Sequence, residues 1–227
     1  MCFPASSWAA STKAAVKKRT VLLLLGALCL LAALGLTIWN LWTADRAQAA
    51  AAAAVQQLEP LIPAPAQQEP AKTTDAPAAE PEEPDIPDYL LNPGMAMPVV
   101  MVDGVAYIGV LEIPALELTL PVTGEWGYDR LKIALCRYAG SAYLDNLVIM
   151  GHNYPAFFKN LGDLRPGDEI RFTDADGNAF SYTVADLEQL RASQVEDMIT
   201  GDWDLTLFTC TPGGQLRIAV RCIRAAE

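Results

Sequence analysis

The chain is poor in histidine and in basic residues, and each shortage removes a class of function. One histidine, His152, occurs in 227 residues, and no two cysteines stand in a Cys-x-x-Cys spacing. The sequence therefore speaks against a zinc or other transition-metal site built from Cys and His, and no cofactor is expected. Lysine and arginine total 16 against 27 aspartates and glutamates, a net charge of −11. Residues 99–227 alone carry 18 acidic and 10 basic side chains, so no basic face for nucleic acid stands out. Aromatic residues almost vanish between positions 43 and 98, where ten of the sixteen prolines fall.

One long apolar run is present. Residues 21–42, "VLLLLGALCLLAALGLTIWNLW", are uncharged, and at about 1.5 Å per residue they are long enough to cross a hydrocarbon layer of roughly 30 Å. Lys13, Lys17, Lys18 and Arg19 precede the run, which predicts a cytoplasmic segment 1–20, a transmembrane helix 21–42 and the bulk of the chain outside. Trp39 and Trp42 suit the interfacial belt. A cleaved secretory signal is the competing reading, given the alanines at 49–54. Residues 43–98 read as an extracellular spacer, helical through the alanine tract and then proline-rich, with an extended reach of at most about 170 Å.

Residues 99–227 have the size of one domain. "YIGVLEIP" and "LELTLPV" read as strands, "YDRLKIALCRYAG" as a short helix, "NLVIMGHN" as a strand that stops at Gly151, and "YPAFFKNLGDL" as one or two helical turns begun by Pro155. A hairpin follows around Asp176-Gly177, where "DADGN" offers oxygen ligands but not the spacing of a calcium loop. "SQVEDMIT" gives a helical turn, and "TLFTCTPGGQLRIAVRC" gives the last two strands. Seven or eight short strands with few helices predict a small, mostly antiparallel barrel or sandwich.

The last hairpin carries chemistry. If Gly213 and Gly214 are the central pair of a tight turn, Thr211 faces Leu216 and Cys210 faces Arg217, with Cβ atoms about 4.5–5.5 Å apart. A cation opposite a cysteine favours the thiolate and can hold an oxyanion. Arg221 shares that face but lies about 13 Å further along. The plainer reading is a buried small cysteine with solvated arginines. His152, at the end of a strand beside a glycine, supplies the acid or base that a cysteine nucleophile uses. Cys136, Cys210 and Cys222 make an odd number, so one thiol is free or paired between chains; Cys136 with Cys222 is one pairing that would leave Cys210 free. Thr211 is a second candidate for the oxyanion, although strand threonines commonly serve β-propensity.

From about Tyr107 onward these residues resemble the sortases, membrane-anchored cysteine transpeptidases of Gram-positive surfaces. The likeness rests on "IGVLEIPALELTLPV", "YAGSAYLDNLVIMGHN", "FFKNLGDLRPGDEI", and "LTLFTC" followed by "LRIAV". It implies an eight-stranded β-barrel and a His152, Cys210, Arg217 triad. It further implies cleavage of an LPXTG-like sorting signal on surface proteins through a thioacyl enzyme, resolved by an amine of a cell-wall precursor or a pilin lysine. The connection after Cys210 is short for the family, and no Asp-Pro-aromatic lid motif or second apolar run is found, unlike a typical pilin polymerase. Two other readings remain at this point. One is a cell-wall L,D-transpeptidase, whose Ser-x-Gly-Cys signature is replaced here by "LFT" before Cys210; the other is a stalked adhesion domain without catalysis.

Overall fold

The computed structural model describes residues 8–64 and 86–225, and the chain divides into two compact units, Met1–Asp45 and Arg46–Glu227. Cys2 and the proline-rich stretch 65–85 lie outside the described residues. Helix α1 (Trp8–Leu58) contains an apolar stretch, beginning at Val21, that is long enough to cross a membrane and exposes its leucines from Leu22 to Leu41. Its last part, residues 46–58, belongs to the second unit.

That second unit is a barrel. Strands β2 (Val105–Ile113), β3 (Leu118–Thr123), β4 (Leu135–Ala139), β5 (Leu147–Met150), β6 (Glu169–Asp174), β7 (Ala179–Arg191), β8 (Leu205–Cys210) and β9 (Leu216–Arg224) run in the spatial order β2-β3-β4-β5-β8-β9-β7-β6, and β6 closes back on β2. A short β1 (Val100–Val102) adds a hairpin outside the ring. Pairing is antiparallel except at β3–β4 and β5–β8. Closure depends on Gly109: with φ +153°, a Cβ there would meet the Thr173 carbonyl oxygen at 2.0 Å, so only glycine lets β2 and β6 approach.

The interior is filled by alternate residues of these strands, among them Leu111, Ile113, Leu147, Ile149, Phe172, Phe180, Leu205, Leu207 and Val220. Residues 131–139, expected as a helix, instead form a 3-10 turn (Arg130–Lys132) followed by β4. The spacing of Leu131 and Leu135 suits a helix, but the backbone of Leu135 and Cys136 is taken up by pairing with Val122 and Thr123. The turn expected at Pro155 is a hydrogen-bonded turn over 154–157, and the 3-10 helix follows it at Phe158. "DADGN" is the β6–β7 turn: the buried Asp174 carboxylate accepts from the amides of Asp176 and Asn178, the Asn178 side chain and the Tyr143 hydroxyl.

Part of the expected spacer is folded onto the barrel. Ala47, Ala51, Ala54 and Leu58 recur at helical spacing and are buried, the last two against Val102, Val105, Tyr107 and Ala134. Alanine exposes too little apolar surface to mark a core by composition, yet its small side chain lets a helix backbone sit close to a sheet. Residues 86–98 also pack inward, with Tyr89 of helix α2 (Asp88–Leu91) stacked on Tyr143 at 4.7 Å and edge-on to Phe180.

Leu58 is fully buried while Leu61 is half exposed. Leu58→Ala is expected to cost about 2–5 kcal/mol of stability, and Leu61→Ala about 0.5 kcal/mol or less. Chemical unfolding of the full chain in detergent measures both.

Candidate active site

Alternation along β8 decides which side chains face out. Leu205, Leu207 and Thr209 point toward the barrel interior, so Thr206, Phe208 and Cys210 line the outer face. On β9 the same face carries Arg217, Ala219 and Arg221, because Cys210 pairs with Arg217, Phe208 with Ala219 and Thr206 with Arg221. The opposition of Cys210 and Arg217 is therefore as the sequence predicted. The turn that sets it is longer than a two-residue loop. Pro212 and Gly213 occupy its centre, Gly213 at φ +85°, and the Gly214 amide donates to the Thr211 carbonyl at 2.8 Å.

Thr211 is spent on the turn. Its amide and hydroxyl both donate to the Leu216 carbonyl, and its hydroxyl also accepts from the Leu216 amide. It therefore has neither donor left for an oxyanion. Arg217 uses one terminal nitrogen on the carbonyls of Gly214 and Leu216, and its other two nitrogens have no protein partner among the described residues.

A β-bulge between Val184 and Asp186 reverses the alternation of β7. Residues 180, 182 and 184 fill the barrel, but Glu188 and Leu190 turn outward beside Arg221 and Phe208. Arg221 is only 2% exposed. It bonds Glu188, the Thr206 hydroxyl and the carbonyls of Asp197 and Met198, fastening helix α3 (Val195–Ile199) to the sheet. Met198 then packs with Leu190, Phe208, Val148 and Ala219. The two arginines of one strand face thus have separate work: Arg221 is committed to the fold, and Arg217 is open at the mouth.

His152 arrives from β5. Met150 is aligned with Phe208 in the parallel β5–β8 pair, and two residues further along each strand stand His152 and Cys210. Neighbouring strands lie about 4.8 Å apart, and continuing the register past Met150 sets His152 level with Cys210 on the adjacent strand. The strand ladder is extended past Met150 by the Gly151 amide, which donates to the Phe208 carbonyl at 3.1 Å, and by the Thr209 hydroxyl, which donates to the Gly151 carbonyl at 2.8 Å in a buried setting. Gly151 is required by space: a Cβ there would lie 2.6 Å from Leu135 Cδ2 and 2.7 Å from Phe158 Cδ2. No motif in the sequence marks Thr209 for this role.

Burial and then the nearby Lys132 ammonium hold the half-buried His152 imidazole below its ordinary pKa of 6.5, leaving it neutral at neutral pH and able to take a proton. Lys132 is paired with Asp129 at 2.7 Å on the surface. The His152 ring stacks on Tyr154 at 4.7 Å. Neither Lys132 nor Tyr154 carried a motif that pointed to this place.

The thiols sort by access. Cys136 and Cys222 are buried and free, so they form no disulfide here, and burial raises both, Cys222 to about 12. Cys210 is the half-exposed thiol of the three. Along β4, a surface cleft of about 400 Å³ is lined by Gly124, Glu125, Trp126, Arg137, Tyr138 and Ala139. Trp126 leans on Tyr138, and Tyr138 meets Phe208 edge-on at 5.2 Å, which makes an aromatic border leading toward the cysteine strand. Residues 86–98 pack near Phe180, at the start of β7, whereas Cys210 and Arg217 lie level with Leu190 near its end.

A model of the sortase domain matches residues 111–227. No curated protein matches. Similar solved structures include sortase C1 from Streptococcus agalactiae (23% identity, TM-score 0.49, covering 56% of this chain and 72% of that one) and sortase C1 from Streptococcus suis (25%, 0.46, 53% and 74%). A Clostridium perfringens sortase C solved with a C-terminal cell wall sorting motif is also similar (24%, 0.47, 53% and 71%). With a family model spanning half its length over a closed eight-stranded barrel, the chain belongs to the sortase family and is a cysteine transpeptidase.

Proposed function

We propose that Cys210 is the nucleophile, His152 the general acid and base, and Arg217 the oxyanion or peptide-positioning cation of a transpeptidation on an LPXTG-like sorting signal. His152 takes the Cys210 proton, and the sulfur attacks the Thr–Gly carbonyl of the signal. Arg217 offers its unpartnered N–H groups to the developing oxyanion. As the C–N bond breaks, His152 returns the proton to the departing glycine amine, leaving a thioacyl enzyme and a released C-terminal tail. An amine of a cell-wall precursor or a pilin lysine then enters, gives its proton to His152, and displaces the sulfur to form a new amide.

The observation that supports this reading is that Cys210 stands opposite Arg217 across β8–β9, and the strand end that bears His152, more than fifty residues earlier in the chain, is tied to the same strand β8 through Gly151, Phe208 and Thr209. An extended peptide would lie on the outer face, between α3 and the aromatic border of Trp126 and Tyr138. The substrates are surface proteins carrying a C-terminal sorting signal. The apolar part of α1 anchors the enzyme by a single pass, with the lysine-rich N-terminus inside and the transferase domain outside.

The direct test incubates the full chain with a mixture of sorting-signal peptides and an amine acceptor and looks for products by mass spectrometry. A thioacyl mass on Cys210 and a transfer product are expected, both lost in Cys210→Ala. Absence of both with every peptide would refute the reading.

Arg217→Ala should lower kcat/KM about 10²–10³-fold with little change in melting temperature, whereas Arg221→Ala should destabilise by about 1–3 kcal/mol, because it leaves the Asp197 and Met198 carbonyls and the buried Thr206 hydroxyl without their donor. Equal losses of activity per folded molecule would contradict the division between the two arginines.

Because the chain has one histidine, an imidazole titration by NMR is free of overlap. Its pKa should fall below 6.5, and Lys132→Ala should move it back up. The unfolded chain then binds this proton at a higher pH than the folded one, so the associated stability, complete above about pH 6.5, is lost as pH falls toward the depressed folded value.

A further inference from the structure

His152 has an exacting task and little to hold it. A general base must aim one ring nitrogen at the sulfur within about 10–20°, yet among the described residues nothing hydrogen-bonds either nitrogen of His152. Its backbone is secure, since its carbonyl accepts from the Phe158 amide at 3.0 Å. The ring, which lies past the end of β5, is left to turn about its own side-chain torsions.

Tyr154 supplies the missing constraint. Its ring lies nearly parallel to the imidazole, 4.7 Å between centroids at 26°, and it also stacks on Phe157 at 6.3 Å and 22°. Phe157 is fully buried, so the three rings form a pile founded in the core. The loop is shaped to deliver this arrangement: the Tyr154 carbonyl accepts from the amides of Phe157 at 3.0 Å and Lys159 at 3.2 Å, which folds Tyr154 back under His152. The charged group facing the pile is Lys132, whose field reaches both His152 and Tyr154.

We infer that Tyr154 is a positioning residue, whose aromatic face sets the imidazole plane of His152 for proton transfer with Cys210. This inference rests on the transpeptidation reading above. The face of the ring does the work and the hydroxyl does not, because a parallel stack turns the ring, not its edge, to the imidazole.

The test uses the full chain in detergent as wild type, Tyr154→Phe and Tyr154→Leu, with a sorting-signal peptide and an amine acceptor. Tyr154→Phe is expected to keep kcat within about twofold, and Tyr154→Leu to lower kcat at least about tenfold with KM within about twofold. In parallel, NMR of the single imidazole should show ring-current-shifted carbon-bound protons in the wild type and the Phe variant, and their return toward free-imidazole positions in the Leu variant. If the Leu variant is poorly folded, Tyr154→Trp replaces it and must retain both the shift and the activity. The inference is overturned if the Leu variant keeps wild-type kcat and imidazole shifts, if its loss lies in KM, or if Phe fails as Leu does. The NMR arm needs no turnover. A missing ring-current shift sinks the stack, while a shift without any turnover counts against transpeptidation instead.

Discussion

One buried hydrogen bond and the amide beside it fix the relation between the two halves of the candidate site: the Thr209 hydroxyl on the Gly151 carbonyl, and the Gly151 amide on the Phe208 carbonyl. β5 and β8 are parallel neighbours separated by more than fifty residues of chain, and their ladder would otherwise end at Met150. A side-chain hydroxyl takes over where strand geometry runs out. In an environment without water a lost partner there leaves a carbonyl unsatisfied, at a cost of about 1–3 kcal/mol. The imidazole and the thiol thus inherit their proximity from groups one residue before each of them.

The second determinant is a change of phase. Without the bulge at Val184 and Asp186, β7 would present Leu187 and Gln189 to the outer face, and Arg221 would lose Glu188 as a partner. With it, a single strand fills the barrel at one end and builds the wall of the site at the other. The same reasoning separates Arg217 from Arg221. Both lie on one face of β9, but the buried cation is neutralised and wrapped by carbonyls, and the exposed one keeps donors unspent.

What could be read from the sequence was what short-range geometry determines. The Cys210–Arg217 register follows from a turn only a few residues long, and it survived although the turn itself has a different build. His152 was recognisable as a strand end. Thr209, Lys132 and Tyr154 could not be placed, since each acts through a contact that exists only after the barrel has closed or the loop has folded back. The 3-10 turn and strand at 130–139 read as a helix in the sequence because Leu131 and Leu135 satisfy helical spacing, while pairing with β3 depends on residues elsewhere in the chain. The alanine stripe of α1 escaped for a related reason: its value lies in closeness of approach, which hydropathy does not measure.

The distribution of sulfur in the barrel unit has its own consequence. Two of its thiols are sealed in and held protonated by burial, and Cys210 stands alone at the mouth. An oxidant arriving from outside meets a solitary sulfur with no neighbour to close a ring with, so damage proceeds to a sulfenic acid or to a mixed disulfide with a small thiol. Both are reversible by thiols from the surroundings. The fold therefore has no internal fuse, and its response to oxidative stress is set by the medium in which it sits.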